Sequence, residues 1–298
     1  MDDRILSLLA CPKDHGRLVL SATSSSATDA MEGQLHCVVC DNAYPIDSGI
    51  PRFLTAEQND LSHLQRSEMA LRDRGYLAGQ GAEIDAWHAP EFDALKVAVG
   101  NCGGLAVLDA GCGVGKFNSI IKHADLHLGV DFSWEGLVRF QKPSQVRTGL
   151  IQGDVTQMPI QDNTFDLALS LQVLSHLPTV DLRANLLSEL ARVVKPDGRM
   201  IITVLHYSFR YRRRMIPQES EEDESFYHRF EVAELRDLLS TQFTIRKLHG
   251  YWIYLPKTYR LFMALGKWRG YWDRIWRTRP LSLTYGKYLL AVCSPKRG

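Results

Sequence analysis

No apolar run in this chain approaches the roughly 18 residues that a membrane span needs, and Met1-Asp2-Asp3-Arg4 is not the basic opening of a secretory leader. Both absences point to a cytoplasmic protein. Cysteine is sparse: Cys11, Cys37, Cys40, Cys102, Cys112 and Cys293 are all there are. Three of them cluster with metal-like spacing, which in a chain without a leader favours reduced thiols over disulfides. An excess of one charge is missing as well, since 35 Lys and Arg face 34 Asp and Glu for a net of +1. That balance is unevenly laid out: from Tyr251 onward, ten basic residues meet Asp273 alone. A basic tail on an acidic body suits an anionic partner or surface, or simply a solvated face. With 45% hydrophobic and 23% charged residues over 298 positions, the chain is no disordered tract. Its length allows one large domain, or one domain with a smaller companion.

What is present centres on a glycine-rich turn. An apolar run ends at Asp109 and turns through Gly111, Gly113 and Gly115, then continues into residues 117–122, which can be helical. Strand, glycine turn and helix in that order make a nucleotide-type binding loop. Glycine lets backbone approach a ligand, and a helix start offers unpaired N–H groups. The spacing is Gly-x-Gly-x-Gly, not the dinucleotide Gly-x-Gly-x-x-Gly. Cys112 reads as a small residue of the turn. Taken alone, the glycines fit a tight structural turn equally well.

Two further apolar runs also end in acids. Asp131 closes residues 126–131, about 20 residues beyond the loop, where a carboxylate can accept both ribose hydroxyls. Ser133 then caps a helix carrying Trp134, Leu137, Val138 and Phe140. Asp154 closes 149–154. Residues 165–177 form a buried strand running out to a loop, 180–195 have helical spacing, Pro196-Asp197-Gly198 is a turn, and 199–205 are a fifth strand. Residues 243–249 and 285–294 add two more. This alternation predicts an α/β fold with a parallel, doubly wound sheet and ligands at the carboxyl ends of its strands.

Three acids in register on consecutive strands, the Phe165-Asp166 strand and the Val194-to-Gly198 turn together resemble the class I S-adenosylmethionine (SAM) methyltransferases, over about 105–205. The resemblance implies a Rossmann-like seven-stranded sheet with helices on both faces across 105–298. It implies SAM held by Asp109, Gly111, Cys112, Gly113, Gly115, Asp131, Phe132, Asp154, Val155, Met158 and Leu171. In that set Asp154 would take the adenine amine, Val155 offer a backbone N–H and Met158 an apolar wall. Residues 56–104 read as a helical linker, with Leu61, Leu64, Met69 and Leu71 as a sparse apolar face and further short helices over 82–87 and 92–97. Such helices commonly lid the cofactor in that family.

Residues 1–55 read as a separate β-rich module of knuckle, strand, Ser/Thr-rich loop, strand and knuckle. Cys37-x-x-Cys40 gives two thiolates on one turn and Cys11 a third. Tetrahedral zinc needs a fourth ligand, and Asp14 stands three residues after Cys11, with His15 and His36 as near substitutes. Leu8-Leu9-Ala10-Cys11-Pro12, the Cys37/Cys40 pair and Tyr44-Pro45-Ile46-Asp47-Ser48-Gly49-Ile50-Pro51 resemble the zinc-ribbon-like activator subunit of tRNA methyltransferases. An acid replaces the usual fourth cysteine, so a metal-free ribbon stands as the alternative.

The reaction is less determined. Position 170–173 is Ser-Leu-Gln-Val, without the Asn/Asp-Pro-Pro-aromatic clamp that nitrogen methyltransferases of this class usually carry. That favours oxygen or carbon methylation of a small-molecule or lipid-like acceptor, as in the ubiquinone/menaquinone-type enzymes that residues 174–177 resemble. His176 is the first base candidate, followed by His206, Tyr207 and His228, expected beside the acceptor pocket. Residues 210–224 read as a mixed-sign solvated loop. Within 250–282, Trp252, Tyr254, Tyr259, Phe262, Trp268, Tyr271, Trp272 and Trp276 interleave with basic residues. This insertion can wall an acceptor pocket, touch a membrane surface peripherally or stack on RNA. An RNA methyltransferase, and a non-catalytic SAM-binding or activator protein, are the competing readings.

Overall fold

The computed structural model describes residues 2–22, 32–54, 63–79, 88–143, 145–222, 225–253, 261 and 264–296. The helix expected over 82–87, and Tyr254, Tyr259 and Phe262, lie outside them. A short helix α1 (Asp3–Leu6) leads into a four-stranded antiparallel sheet: β1 (Leu18–Ala22), β2 (Gly33–Cys37), β3 (Ala43–Asp47) and β4 (Ile50–Pro51), in that order. Helices α2 (His63–Leu77) and α3 (Ala89–Val99) follow.

The second sheet has seven strands. Four are parallel: β5 (Ala106–Ala110), β6 (Leu126–Asp131), β7 (Arg147–Gln152) and β8 (Phe165–Leu171), joined by β9 (Val194–Leu205) in parallel with β8. The expected turn at 196–198 is instead absorbed into β9, whose register against β8 shifts between Phe165 and Leu167. Strands β12 (Phe243–Ile253) and β13 (Gly286–Pro295) close the far edge antiparallel, giving the order β12-β13-β9-β8-β5-β6-β7. From β5 the chain runs one way through β6 and β7 and then returns to the other side as β8 and β9, so the strand order reverses between β5 and β8 and opens a crevice there.

Helix α4 (Trp134–Val138) is capped by Ser133, whose Oγ accepts from the Gly136 N–H at 3.0 Å. Helix α5 (Val180–Val193) buries Leu186, Leu187, Leu190 and Val193, as its spacing predicts. The helix expected over 117–122 is only a 3₁₀ turn, Asn118–Ile120. Asn118 is buried and its amide donates to the Gln141 carbonyl at 2.5 Å, a tertiary bond that ends the turn early. Residues 210–224 are not a bare solvated loop: α6 (Phe209–Arg213) is followed by a hairpin of β10 (Glu219–Glu222) and β11 (Ser225–His228). Helices α7 (Val232–Ser240), α8 (Arg269–Arg277) and α9 (Ser282–Tyr285) complete the chain.

The N-terminal module is welded to the β7 edge. Arg52 forms a parallel bridge to Gln152, the Phe53 N–H donates to the Gln152 carbonyl at 2.8 Å, and Leu9 bridges Ile160. Ile5, Leu9, Leu35, Tyr44 and Phe53 share one hydrophobic cluster with Leu128, Val130 and Ile151 of the sheet. Full burial of such side chains contributes about 1.5–3 kcal/mol each relative to exposure, so the module and the sheet share one core.

Candidate cofactor cleft and cysteine cluster

Three acids meet at the carboxyl ends of β5, β6 and β7. Asp131 is buried, and each carboxylate oxygen accepts a backbone N–H: Oδ2 from Gly113 and Oδ1 from Ser133, both at 2.8 Å. Its charge is thus tied to the glycine loop it faces. Asp109 is buried behind it, and burial, reinforced by the Asp131 charge, pushes its carboxyl up to about 7. Asp154 Oδ1 accepts from the Thr156 N–H at 2.8 Å, while Oδ2 accepts from Gln65 of α2 at 3.2 Å.

The loop is shaped by its glycines. Gly111 has φ 87°, and an added Cβ would collide with Val173. Gly113 has φ 50°, with the Tyr76 hydroxyl 2.5 Å from where a Cβ would sit. A side chain at either place would both strain the backbone and fill the crevice. Cys112 lies in the same turn, fully buried, with its thiol pushed well above the ordinary range by burial. It is not a reactive group.

Two cavities open on this loop. The first, about 840 Å³ including its open mouth, is lined by Asp131, Phe132, Asp154, Val155, Leu171 and His176, with Gln65, Glu68, Arg72 and Tyr76 of α2. The second is lined by Asp109, Gly111, Cys112, Gly113 and Lys116, and by His88, Glu91, Tyr227 and Tyr288. Both include Arg72, Tyr76, Gly111, Leu171 and Gln172, so they are halves of one cleft divided by α2.

The expected residues therefore divide. Asp109, Gly111, Cys112, Gly113, Asp131, Phe132, Asp154, Val155 and Leu171 line the cleft. Gly115 turns the loop behind it, against Asn118 and Phe140. Met158 does not form a wall: its side chain is fully buried in the core, and its N–H donates to Glu189 at 2.6 Å. His176 does line the first cavity. Its Nδ1 donates to the Phe226 carbonyl at 3.1 Å, Arg72 Nη2 lies 3.3 Å from Nε2, and Glu68 lies 3.5 Å from Nδ1. Burial, with the Arg72 charge second, pulls the imidazole down to about 4, so the ring is neutral.

The other three base candidates point elsewhere. His206 is buried at the end of β9 with Nδ1 2.8 Å from the Gly286 carbonyl. Tyr207 donates to the Ile216 carbonyl at 2.9 Å. His228 is clamped between Glu219 at 2.8 Å and Glu234 at 2.6 Å. All three were expected beside the acceptor pocket, but contacts with β13, with Ile216 and with Glu219 and Glu234 engage them elsewhere.

Two groups of lining residues were not anticipated. Gln65, Glu68, Arg72 and Tyr76 are spaced three, four and four apart, one face of α2, and that face is polar where an apolar stripe was expected. Beside them, Asp73 of α2 accepts from the Ser133 hydroxyl and from the Glu135 N–H, tying α2 to α4. Gln172 adopts φ 68°, its amide donates to the Tyr251 hydroxyl at 3.2 Å, and Tyr251 donates to Glu91 at 3.2 Å. Glu91 in turn faces Lys116 at 3.8 Å. A non-glycine residue in that left-handed conformation beside a cleft is a strained position of the kind that collects at ligand sites.

In the N-terminal module the ligand atoms of Cys11, Asp14, Cys37 and Cys40 all lie within 4.8 Å of one another. The Cys11 and Cys40 sulfurs are 3.6 Å apart, and Cys37 Sγ is 3.3 Å from Asp14 Oδ1. Tetrahedral zinc with bonds of about 2.3 Å to sulfur has edges of about 3.7 Å. Gly16 makes room: a Cβ there would lie 2.8 Å from Asp14 Oδ1 and from Cys37 Sγ. His15 and His36 are not in the cluster.

Comparison with known proteins agrees with this geometry. The family described as methyltransferase domain matches residues 108–202, and the family described as Trm112p-like protein matches 2–49. A tRNA (carboxymethyluridine(34)-5-O)-methyltransferase of Arabidopsis thaliana is 36% identical over 101 residues, covering 34% of this chain and 24% of that one. A sterol 24-C-methyltransferase of Gibberella zeae is 31% identical over 102 residues, covering 32% and 26%. The matches span about half the length or less of the first curated relatives. Among solved structures, a Burkholderia thailandensis 1,6-didemethyltoxoflavin-N1-methyltransferase with bound S-adenosylhomocysteine shares the fold, with TM-score 0.53 and 18% identity over 88% of this chain and 99% of that one. Residues 108–202 thus match a methyltransferase domain and residues 2–49 a Trm112p-like domain, and the chain shares the fold of a solved methyltransferase that binds S-adenosylhomocysteine.

Proposed function

We propose that this chain is an enzyme that methylates an oxygen or carbon of a small or lipid-like acceptor. The observation that carries this reading is the cleft itself, where the three acids and the glycine loop open onto space also walled by His176 and by Tyr76, Tyr227 and Tyr288. When bound, SAM supplies an electrophilic methyl group on its sulfonium. Asp131 can hold the ribose hydroxyls, because a carboxylate has about four lone-pair sites and only two are taken. Asp154 and Val155 suit the adenine edge, and Asp109 suits the cationic methionine end.

Alignment in such a cleft can itself supply about 7–11 kcal/mol. His176, neutral and with Nδ1 engaged, can take an acceptor proton at Nε2 once Arg72 swings aside. The test is incubation of the protein with labelled SAM against separated small-molecule, lipid and RNA fractions. Label in the lipid or small-molecule fraction supports the reading, and label confined to RNA overturns it. RNA is the second reading, favoured by the basic stretch after Tyr251 and by the tRNA-modifying relative. It expects RNA retention that falls steeply with salt.

We infer also that the cysteine cluster holds zinc, with Asp14 as the fourth ligand. The spacing of its four donors supports this. Metal analysis of protein purified without chelators should give about one equivalent of zinc; less than about half would sink the idea.

A further inference from the structure

Helix α8 divides its large apolar groups between two faces. The inward side is mixed: Trp272 packs on the cluster that holds Leu95 and Trp252, Asp273 and Arg277 are buried, Arg277 pairs with Asp93 of α3, and Arg274 reaches the same carboxylate. Asp273 also accepts from the Ile253 N–H at 3.0 Å. The outer face carries further large apolar groups. Tyr271 is 63% exposed and Ile275 42%, with Trp268 62% exposed at the N-cap, so the three follow one another at helical spacing. Leu261 and Leu281, which flank the helix in sequence, are exposed too. A soluble surface rarely presents such a row without a partner.

The chemistry selects the partner. Apart from Arg274 and Arg277, which pair with Asp93, residues 251–282 hold Lys257, Arg260, Lys267, Arg269 and Arg279 and no acid but the buried Asp273, so the segment favours an anionic occupant. Aromatic side chains with cations serve both RNA and bilayer interfaces. Exposed Ile275, Leu261 and Leu281 separate the two, because an aliphatic side chain gains little from base stacking and much from hydrocarbon. We propose that the outer face of α8, together with Trp268, is a peripheral docking surface for an anionic lipid bilayer.

Its place in the fold gives docking a use. Gly270 packs against the Ala89 carbonyl, 3.2 Å from its would-be Cβ, at the start of α3. His88 and Glu91, at that same end of α3, line the second cavity. A bilayer seated on α8 therefore lies beside the rim of the tyrosine-walled half of the cleft. The inference stands on the patch and not on the identity of the acceptor.

Flotation of the full-length protein with vesicles tests it, using phosphatidylcholine alone and phosphatidylcholine with roughly a third phosphatidylglycerol. The expected result is binding to the anionic vesicles at low salt, weakening as salt rises, with a blue shift of tryptophan emission. The triple variant Trp268→Ser, Tyr271→Ser, Ile275→Ser should lower partitioning by about tenfold or more with SAM affinity unchanged. Ile275→Glu alone, at an exposed position, repeats the measurement should the triple variant unfold. Failure of the full chain to bind either vesicle at low salt overturns the proposal. So does a triple variant that loses RNA retention while keeping its vesicle binding. A soluble acceptor labelled in the SAM assay would leave the methyltransferase reading intact in either case.

Discussion

The walls of the cleft are built on two opposite plans. On the cofactor side each parallel strand brings one group to its own carboxyl end: Asp109 from β5, Asp131 from β6 and Asp154 just beyond β7. Their spacing is set by ladder hydrogen bonds, such as the pairing of Asp109 with Gly129 and of Asp131 with Gln152. The walls we propose for the acceptor are assembled from pieces that share no ladder: Glu68, Arg72 and Tyr76 of α2, Glu91 of α3, Tyr227 of β11 and Tyr288 of β13. They are held by side-chain contacts, among them Ser225 donating to Glu68 at 2.7 Å across 157 positions of chain. A scaffold of the first kind fixes the donor chemistry. Walls of the second kind can be exchanged without disturbing it.

If that division is real, a change on the acceptor side should spare cofactor binding. His176→Ala carries the largest expected effect, a fall in kcat of roughly 10²–10⁴-fold from loss of the proton acceptor, with SAM affinity by calorimetry kept within about twofold. An unchanged kcat would reduce His176 to packing. The opposite experiment is Asp131→Ala. It removes the proposed ribose ligand and strands the Gly113 and Ser133 N–H groups, each orphan costing about 1–3 kcal/mol. SAM affinity should drop by about 100-fold and Tm should fall with it; a loss of less than about tenfold would remove Asp131 from the centre of the site.

The same division explains what could be read from the amino-acid order. The acids after β5, β6 and β7 stand where a local pattern of apolar strand, turn and acid puts them, and the ladder does the rest. Cys11, Asp14, Cys37 and Cys40 were legible for the same reason, since each pair sits on one knuckle. The placement of His206, Tyr207 and His228 beside an acceptor pocket was not, because long-range contacts with Gly286, Ile216 and the Glu219/Glu234 pair decide where they point. The polar face of α2 escaped notice because a helix in water is searched for an apolar stripe, and this one buries Gln65 and Glu68 against a cleft. Residues 117–122 have the apolar spacing of a helix, and a single buried bond from Asn118 defeated it.

Titration sharpens the comparison on the cofactor side. Asp109 has its carboxyl raised to about 7, so it is protonated below that pH and charged above it. A raised acid contributes folding stability at low pH, where it is neutral, and loses it as pH rises through about 7. A cationic cofactor prefers the charged form. The apoprotein Tm should therefore fall from about pH 4 to about pH 7 while SAM affinity rises, by up to about tenfold per unit, and both should level off above about pH 7. Asp109→Asn should flatten both trends. Parallel trends in Tm and affinity would contradict the assignment.

The smallest expected effect comes from the one residue that crosses the division. Gln65 belongs to α2, yet its amide donates to Asp154 Oδ2 at 3.2 Å, on the carboxylate suited to the adenine amine. An adenine amine at that oxygen would compete with the bond, which ties α2 to Asp154. A net hydrogen bond is worth about 0.5–1.5 kcal/mol. Gln65→Ala should therefore tighten SAM binding by about two- to tenfold, the equivalent of that energy, mostly through faster association. Gln65→Glu should go the other way, since a second carboxylate facing Asp154 repels it and lifts α2 from the cleft. Weaker SAM binding in Gln65→Ala would mean that α2 contacts the cofactor directly, and this helix would then belong to the cofactor half of the cleft.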